Sequence, residues 1–327
     1  MRIQLICPAP PGSRYGNRIA ALRWARLLRQ LGHRVKIARG YRGQPCDLLV
    51  ALHAWHSAEA VLRFHRRHSN RPLVVALTGT DIYRDLYRRQ RKEKLLRVLK
   101  QSTRLVVLQP LAVKRLPSRL RRKVRVVYQS AASTPGPPRK RRDSFAVCVV
   151  GHLRRVKDPL RAAQAARLLP SGSRVRIWQA GSAREPALAP RARAEERRNP
   201  RYRWLGALSP AKTRRLIASS HLMVLSSLME GGANVISEAV VNRVPVLASR
   251  VPGNVGLLGA RYPGYFPVRN TRALARLLLR TETDRRYYAR LKKWCARRAR
   301  LFRPSRERAA WRKLLTELTR LQPARRR

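Results

Sequence analysis

The sequence predicts an α/β protein of two domains, each a parallel β-sheet with helices on both faces, and three observations support this. Short apolar, strand-like runs alternate with segments of helical spacing along most of the chain, which is typical of parallel sheets. At 327 residues the chain is long for a single core, so two domains are expected. The Pro-, Gly- and charge-rich segment Ser133–Asp143 interrupts the alternation and is typical of a linker.

The first domain is predicted to comprise residues 1–135. It begins with a strand at 2–7, a Pro/Gly loop at 8–17 and a helix at 18–31, whose apolar residues keep helical spacing. Gly32 is placed to end this helix as the residue after its C-cap. Further strands are predicted at residues 35–38, 48–51, 73–77, 104–108 and 124–128.

The second domain is predicted at residues 144–303, after a linker at 136–143. Its strands are expected at 145–150, 175–180, 222–225 and 244–248, and a helix is expected near 159–169. Residues 304–327 are predicted to form a helix, with Ser305 as its N-cap, that packs back on the N-terminal domain and ends in a frayed basic tail.

The apolar runs and the cysteines indicate where the protein works. No run approaches the ~20 apolar residues that span a bilayer, and the N-terminal apolar run is too short for a signal peptide. We therefore expect a cytoplasmic protein without a transmembrane segment. The four cysteines are scattered, with no CxxC pair, and are expected to be buried free thiols: Cys7, Cys46, Cys148 and Cys295.

The charge is extreme, with 75 Lys plus Arg against 16 Asp plus Glu and a formal net charge of +59. Such a balance raises the possibility of nucleic-acid binding. The basic residues are, however, spread over the whole length, aromatic residues make up only 6%, and no RRM-like or zinc-finger pattern occurs. The charge favours a positive cleft for phosphorylated substrates and incidental binding to polyanions, with no specific nucleic-acid partner.

Three segments carry candidate chemistry, and each has an ordinary structural alternative. In Pro10–Arg18, Gly12 and Gly16 flank a turn into a helix, where backbone N–H groups can bind an anion. The segment is not GxGxxG, and a plain strand-to-helix turn is equally compatible. In Val150–Pro159, Gly151 permits close approach of a ligand, and Arg154 and Lys157 can clamp a diphosphate. A solvated basic loop is the alternative there.

The third segment contains two of the few carboxylates, Glu230 and Glu238. Gly231 and Gly232 are expected to precede a helix directly, with Glu238 about two turns along and on nearly the same face as Glu230. Carboxylates accept hydrogen bonds from paired hydroxyls, as in a ribose or a hexose. An acidic residue that merely complements the helix dipole is the alternative.

The segments Asn199–Gly206, Leu222–Ser227, Glu230 to Glu238 and Val244–Ser249, in this order and spacing, resemble the retaining GT-B glycosyltransferases of family 4. The resemblance implies the GT-B fold, in which two Rossmann-like domains face each other across a cleft. It also implies catalytic roles for Glu230, Lys157 and Arg154. Arg154 is the substitute for a family Arg whose position is His152 here. The donor-binding residues implied are Gly231, Gly232, Asn234, Glu238, Gly151 and His152.

Within that family Glu230 would contact the donor sugar, Glu238 the ribose hydroxyls and Gly231 the sugar and phosphate end. The segments Cys7–Asn17, Thr78–Asp81 and Gly151–Pro159 are further similar to the selenosugar synthases of selenoneine biosynthesis. This similarity implies transfer of N-acetylglucosamine or glucose from a UDP-sugar to the selenium of selenophosphate. Thr78 stands where the wider family often has His. The acceptor and phosphate residues implied are Gly12, Ser13, Arg14, Gly16, Asn17, Arg18, Thr78, Gly79, Thr80 and Asp81.

No cofactor and no metal are expected, because the sequence has no DxD motif and GT-B enzymes stabilise the leaving diphosphate with side chains and a helix N-terminus. The pairs His53/His56 and His65/His68 lack acidic or Cys partners nearby and are expected to be surface or cleft histidines. Two other functions stay open: a family-4 transferase with a lipid or sugar acceptor at the membrane surface, and a basic nucleic-acid-binding protein on a transferase-like fold. No oligomeric state is predicted.

Overall fold

The computed structural model describes residues 1–136 and 140–321, and the chain divides into two units. Unit 1 comprises Met1–Gln129 together with the residues from Pro304 onward, and unit 2 comprises Ser130–Arg303. The chain therefore leaves unit 1 after Gln129 and re-enters it at Pro304.

Unit 1 contains a six-stranded parallel sheet in the order β2-β1-β3-β4-β5-β6. The strands are β1 (Arg2–Ile6), β2 (Arg34–Ala38), β3 (Leu48–Leu52), β4 (Leu73–Leu77), β5 (Arg104–Val107) and β6 (Val124–Val126). The connecting helices are α1 (Gly16–Gln30), α2 (Ala58–Arg67), α3 (Thr80–Tyr83), α4 (Arg89–Gln101) and α5 (Ser118–Arg121). The central strands β3 and β4 are buried at every position, because helices cover both faces of a parallel sheet.

Unit 2 contains a second six-stranded parallel sheet, in the order β12-β11-β10-β7-β8-β9. Its strands are β7 (Phe145–Val150), β8 (Val175–Ala180), β9 (Tyr202–Trp204), β10 (Leu222–Leu225), β11 (Val246–Ser249) and β12 (Tyr265–Phe266). Its helices are α6 (Arg161–Ala166), α7 (Leu188–Arg198), α8 (Pro210–Ser219), α9 (Asn234–Val241), α10 (Pro252–Leu258), α11 (Thr271–Thr283) and α12 (Arg285–Ala299). Three of these helices have a side-chain N-cap, from Ser209, Asn270 and Asp284.

The last helix, α13 (Pro304–Arg320), belongs to unit 1 and packs on α1. Trp311 meets Trp24 edge to face, with ring centroids 4.9 Å apart. The buried Glu307 accepts from the Arg23 guanidinium at 2.9 Å and from the Trp24 indole at 2.7 Å. The packing of α13 on α1 thus buries the two tryptophan rings and also gives the buried Glu307 carboxylate its hydrogen-bond partners.

The prediction of an α/β chain with two parallel sheets is confirmed, and the differences lie at element ends. Gly32, at φ +83°, follows the C-cap Leu31 of α1 as predicted. Ser305 is not an N-cap, because α13 already begins at Pro304, whose fixed φ suits a first helical position. The helix predicted near 159–169 is shorter and follows a 3-10 turn at Arg155–Lys157. The basic tail at 322–327 lies outside the described residues, as does the linker part at 137–139.

Two further predictions concern the chain as a whole. All four cysteines are free and buried, as expected. Among the residues that the structure describes, no helix is both long enough and apolar enough to cross a bilayer.

Candidate active site

In each unit the sheet has a position where the strand order reverses, and ligands of open α/β sheets bind beyond the strand ends at this position. In unit 2 the reversal falls between β7 and β10, and in unit 1 between β1 and β3. The segments that follow these four strands contain Gly151–Lys157, Glu230, His53 and residues 12–18, of which the last three already belong to α1. Most residues predicted to bind donor or acceptor therefore lie at or next to a reversal point.

Lys157 and Glu230 form the centre of the unit 2 site. The Lys157 ammonium donates to Glu230 Oε1 at 2.6 Å, and the Ser227 hydroxyl donates to the same oxygen at 2.6 Å. Glu230 is only 8% exposed, so its charge requires these partners. Both hydrogen bonds fall on Oε1, which leaves Oε2 for a ligand hydroxyl.

Four residues that support this pair were not found from the sequence. The Ser249 hydroxyl donates to the Ser227 carbonyl at 2.5 Å, and the Asn254 amide donates to the Ser249 carbonyl at 2.9 Å. Gly253 packs directly against Glu230, because a Cβ at this position would lie 2.0 Å from the Glu230 carbonyl oxygen. The only sequence signal was the Pro-Gly-Asn turn after a buried strand, which is common to many loops.

The loop after β7 is held by three contacts. A Cβ on Gly181 would lie 2.0 Å from the Gly151 carbonyl oxygen, so the loops after β7 and β8 touch through backbone. The His152 ring is hydrogen-bonded to the Ser182 hydroxyl at 2.9 Å. The Ser226 hydroxyl donates to the carbonyl of Asp158 at 2.8 Å and thereby ties the end of this loop to the end of β10.

Arg154 lies three residues before Lys157 and is half-buried. Its carbonyl accepts from the Lys157 N–H at 2.8 Å, which closes the 3-10 turn that carries the lysine. The turn therefore places both cations on one short segment after β7.

The helix after Glu230 begins after the glycine pair, as predicted. Gly231, Gly232 and Ala233 are not helical, because glycine disfavours the helix, and α9 starts at Asn234. Glu238 consequently lies in the second turn of α9, and Glu230 precedes the helix. Ala233 is the N-cap and offers no side-chain oxygen to the first N–H groups. An anionic ligand could accept from them.

Asn234 adds a second polar group at this end of α9. Its Oδ1 is buried and has no hydrogen-bond partner among the described residues. A buried amide oxygen without a partner costs free energy, which a hydroxyl or N–H of a bound molecule would recover.

In unit 1 the loop after β1 and the first turn of α1 contain two buried polar atoms that lack partners among the described residues, Ser13 Oγ and Arg18 Nε. The Ser13 N–H donates to the Pro10 carbonyl at 3.2 Å, and α1 follows from Gly16 without a side-chain cap. Burial raises the pKa of the Cys7 thiol, and the Ala9 backbone and the Arg18 guanidinium partly offset this rise. Hydroxyl and guanidinium donors beside a helix start suit an anion.

Asp81 has a structural role that the sequence did not show. It is 1% exposed, and its carboxylate accepts from the N–H groups of Ala54, Thr78, Gly79 and Ile82 at 2.8–3.1 Å. A carboxylate with four backbone donors holds the turn together and has little capacity left for a substrate. Thr78 and Thr80 remain half-buried at the surface of this turn.

Of the predicted surface or cleft histidines, His53 is instead buried and 5% exposed, because its ring packs under the Thr80 turn. His68 bonds the Tyr41 hydroxyl at 2.9 Å. Within the described parts of the chain, no group of three or more His, Cys, Asp or Glu side chains is arranged to hold a metal ion.

Comparisons with known proteins agree with this architecture. Residues 133–298, just over half of the chain, match the family model described as Glycosyl transferases group 1. Over 97% of the chain, the structure is similar to all of HepE from Anabaena, solved with UDP and glucose, at 17% identity and a TM-score of 0.77. Over 98% of the chain, it is similar to 99% of sucrose-phosphate synthase from Thermosynechococcus elongatus, at 14% identity and a TM-score of 0.78.

A UDP-forming trehalose-phosphate synthase from Burkholderia xenovorans has 14% identity and a TM-score of 0.70 over 95% of this chain and 81% of its own. At these identities the likeness concerns the fold, and it confirms the predicted GT-B class. The family match includes the loops that carry Lys157 and Glu230 and the helix that carries Glu238. The chain therefore belongs to the group 1 glycosyltransferases.

Proposed function

We propose that this chain transfers a hexose, N-acetylglucosamine or glucose, from a UDP-sugar to the selenium of selenophosphate. The observation that supports UDP-sugar binding is the Lys157–Glu230 contact, at 2.6 Å, which lies where the strand order of unit 2 reverses. The acceptor assignment rests on the resemblance of residues 7–17, 78–81 and 151–159 to selenosugar synthases. It also rests on two buried donors that lack partners among the described residues, Ser13 Oγ in the first of these segments and Arg18 Nε directly after it.

On the donor side, each charged group matches one part of a UDP-sugar. Lys157 would bind the diphosphate as a point charge, with Arg154 as a second cation on the same turn. Glu230 Oε2 would accept from a sugar hydroxyl, while Ser227 keeps Oε1 in place. Glu238, one turn into α9, would accept from the ribose diol, and Asn234, Gly231, Gly232, Gly151 and His152 complete the donor contacts. HepE, which shares the fold, has been solved with UDP-glucose.

On the acceptor side, Ser13 and Arg18 would bind phosphate oxygens. Gly12 and Arg14 lie in the surrounding loop, and Gly16 and Asn17 begin α1. Thr78, Gly79 and Thr80 form the second edge, held by Asp81. Selenophosphate and the UDP-sugar are both polyanions, and a chain with a formal charge of +59 lowers the electrostatic cost of binding them.

The chemistry follows from the two ligands. Selenium forms a bond to the anomeric carbon as the bond from that carbon to the UDP oxygen breaks, and UDP leaves with the electron pair. Water then cleaves the P–Se bond, which yields phosphate and the 1-selenosugar. The selenium is already anionic and needs little general-base assistance, which accounts for Thr78 in place of the family His. Faster selenium transfer by a Thr78→His variant would contradict this explanation.

The test is a reaction of the protein with selenophosphate and either UDP-N-acetylglucosamine or UDP-glucose, with a metal chelator present. We expect UDP release together with a selenium-containing sugar by mass spectrometry. Lys157→Ala should reduce UDP release at least ten-fold, whereas Arg155→Ala, on the same turn but 83% exposed, should not. Absence of any selenium-containing sugar from the unmodified protein would refute the acceptor.

A specific observation favours a second candidate, transfer to a lipid or sugar acceptor at a membrane surface. Ile19 and Leu22, one turn apart on α1, are 41% and 51% exposed and lie among exposed arginines of the same helix. Apolar and basic side chains on one exposed helix suit an anionic lipid surface. UDP release with a phospholipid acceptor but not with selenophosphate would establish this candidate. Salt-sensitive DNA binding without any UDP release would instead favour a nucleic-acid-binding protein.

A further inference from the structure

His53 lies in an unusual backbone conformation at the end of β3. Its φ is +67°, a region that residues other than glycine seldom adopt, and its side chain is 5% exposed. The His53 N–H donates to the Ala76 carbonyl at 2.8 Å, so the strand-end hydrogen bonding with β4 continues to this residue. Backbone strain of this kind persists only where the surroundings hold the residue in place.

The contacts of the ring favour one of its two neutral tautomers. The His56 backbone N–H donates to His53 Nδ1 at 3.4 Å, so Nδ1 presents a lone pair. In a neutral imidazole the other nitrogen then bears the hydrogen. Nε2 lies 2.8 Å from Thr80 Oγ1 and therefore donates to it. The His56 ring, at a centroid distance of 4.3 Å, packs against the same imidazole.

This arrangement orients the Thr80 hydroxyl. One lone pair of Oγ1 accepts from His53, so the hydroxyl hydrogen is directed to another acceptor. The neighbouring N–H groups of Thr78 and Gly79 already donate to Asp81, at 3.1 and 2.8 Å. Thr80 is half-buried, so part of the residue is exposed to solvent.

We propose that His53 is a positioning residue that holds the Thr80 hydroxyl as a hydrogen-bond donor to an anionic oxygen of the acceptor. This role rests on the proposed function, in which the acceptor binds beside the Thr78–Asp81 turn. It adds that this site selects acceptors with ionised, phosphate-type oxygens. Phosphate-type oxygens only accept hydrogen bonds, which matches a hydroxyl whose own acceptor capacity is partly used. The carboxylate of Asp81 lies beside the ring, with its Oδ2 3.9 Å from Nδ1.

Substitutions at Thr80 test the donor. Thr80→Val keeps the shape and removes the hydroxyl, and Thr80→Ser keeps the hydroxyl. We expect Thr80→Val to raise the KM for selenophosphate by about ten-fold or more, the effect of a lost hydrogen bond to a charged group. The KM for the UDP-sugar should stay within about two-fold, and Thr80→Ser should restore the acceptor KM. Thr283→Val makes the same substitution at an exposed threonine of unit 2 and is the control, in which the acceptor KM should not change.

Substitutions at His53 test the positioning. His53→Gly suits the positive φ but removes the ring, and His53→Asn tolerates this φ but is too short to reach Thr80. Both should raise the acceptor KM about as much as Thr80→Val. The double variant His53→Gly/Thr80→Val should be no worse than Thr80→Val alone, since both changes remove one interaction. Additive effects, or a normal acceptor KM with only a lowered Tm, would overturn the proposal.

A binding measurement separates this inference from the proposed function. Titration with inorganic phosphate should show weaker binding in Thr80→Val than in the unmodified protein and in Thr80→Ser. If the unmodified protein transfers no selenium but phosphate binding still depends on Thr80, the proposed function fails and the inference stands. If selenium transfer occurs and phosphate binding is the same in all variants, the inference fails alone.

Discussion

At the scale of single residues, the carboxylate of Glu230 is held by groups from three segments of the chain. Lys157 comes from the loop after β7 and lies 73 positions away in sequence, and Ser227 comes from the end of β10. Gly253, at the start of α10, supports the backbone of Glu230 through direct contact. A site built in this way loses function when any one of these segments shifts.

The two glutamates should differ from other carboxylates in their effect on donor use. Glu230→Gln is expected to lower kcat/KM for the UDP-sugar by about 10- to 100-fold, and Glu238→Gln by about ten-fold, because each loses a charge-assisted hydrogen bond to the donor. Steady-state assays of UDP release measure this. Glu59→Gln, an exposed carboxylate of unit 1, is the control. Normal donor kinetics in both site variants would refute the assignment.

Gly253 provides a prediction that concerns packing alone. Gly253→Ala places a methyl group 2.0 Å from the Glu230 carbonyl oxygen, so the loop must move. We expect the free energy of unfolding to fall by about 1–3 kcal/mol, as in other overpacked sites, together with a raised donor KM. Gly172→Ala is the matched control, since nothing lies within 4 Å of its Cβ position. Equal behaviour of the two variants in urea unfolding and in donor assays would contradict the packing argument.

At the scale of elements, α13 is held to unit 1 by apolar and ionic contacts together. Trp311 and Glu307 attach its first half to α1, and Glu317 attaches its second half to β5 and β6 through Arg104 and Arg125. The hydrogen bond from Arg125, aided by Arg104, lowers the pKa of Glu317 to about 2. The final helix is therefore part of the N-terminal unit energetically as well as by proximity.

The pH dependence of this attachment has a definite sign. The pKa of Glu317 is lower in the folded protein than its ordinary value of about 4.3, so its contribution is complete above that value and is lost as the pH falls towards 2. We expect Glu317→Gln to reduce the free energy of unfolding by about 1–2 kcal/mol at pH 7. This value is smaller than the pKa shift alone would give, because a quarter of the side chain is exposed and solvent screens its charge. Urea unfolding at pH 7 and pH 3.5 should show this difference shrinking with acidity. A difference that grows in acid would refute the argument.

At the scale of the whole molecule, positive charge dominates the electrostatics, because 75 Lys and Arg residues stand against 16 Asp and Glu residues. Several arginines contribute through packing as well: the guanidinium of Arg91 lies 4.7 Å from the Trp55 ring, and that of Arg193 lies 4.8 Å from the Trp204 ring. Binding of any polyanion should consequently be strong at low salt and weak at physiological salt.

Salt titration distinguishes substrate binding from nonspecific attraction. We expect DNA binding to fall by about 10³-fold or more between 50 and 200 mM salt, because it depends on counterion release. The KM for the UDP-sugar should rise much less, since the contacts of Lys157 and Glu230 are partly buried. Fluorescence anisotropy with a DNA duplex and UDP-release kinetics over the same salt series measure both. If DNA affinity and the KM for the UDP-sugar changed equally with salt, a specific donor site around Lys157 and Glu230 would be contradicted.

Much of this architecture could be read from local patterns. Apolar runs located ten of the twelve strands among the described residues, because buried parallel strands leave little choice of residue, whereas the short strands β9 and β12 were missed. The start of α13 was misplaced, since Pro304 already begins this helix. Glu230 and Lys157 are candidates from their residue pattern and from the resemblance, and Thr80 from the resemblance alone, in each case without their partners.

The sequence by itself determined the α/β class, the two parallel sheets and the identity of the loops that follow their strands, because these depend on short-range periodicity. Only the tertiary structure decided which groups meet: Lys157 with Glu230, Asp81 with four backbone N–H groups, and His53 with Thr80. These contacts join residues that are up to 73 positions apart. Their meeting depends on the order of strands in each sheet, which brings the ends of β7 and β10, and of β3 and β4, side by side.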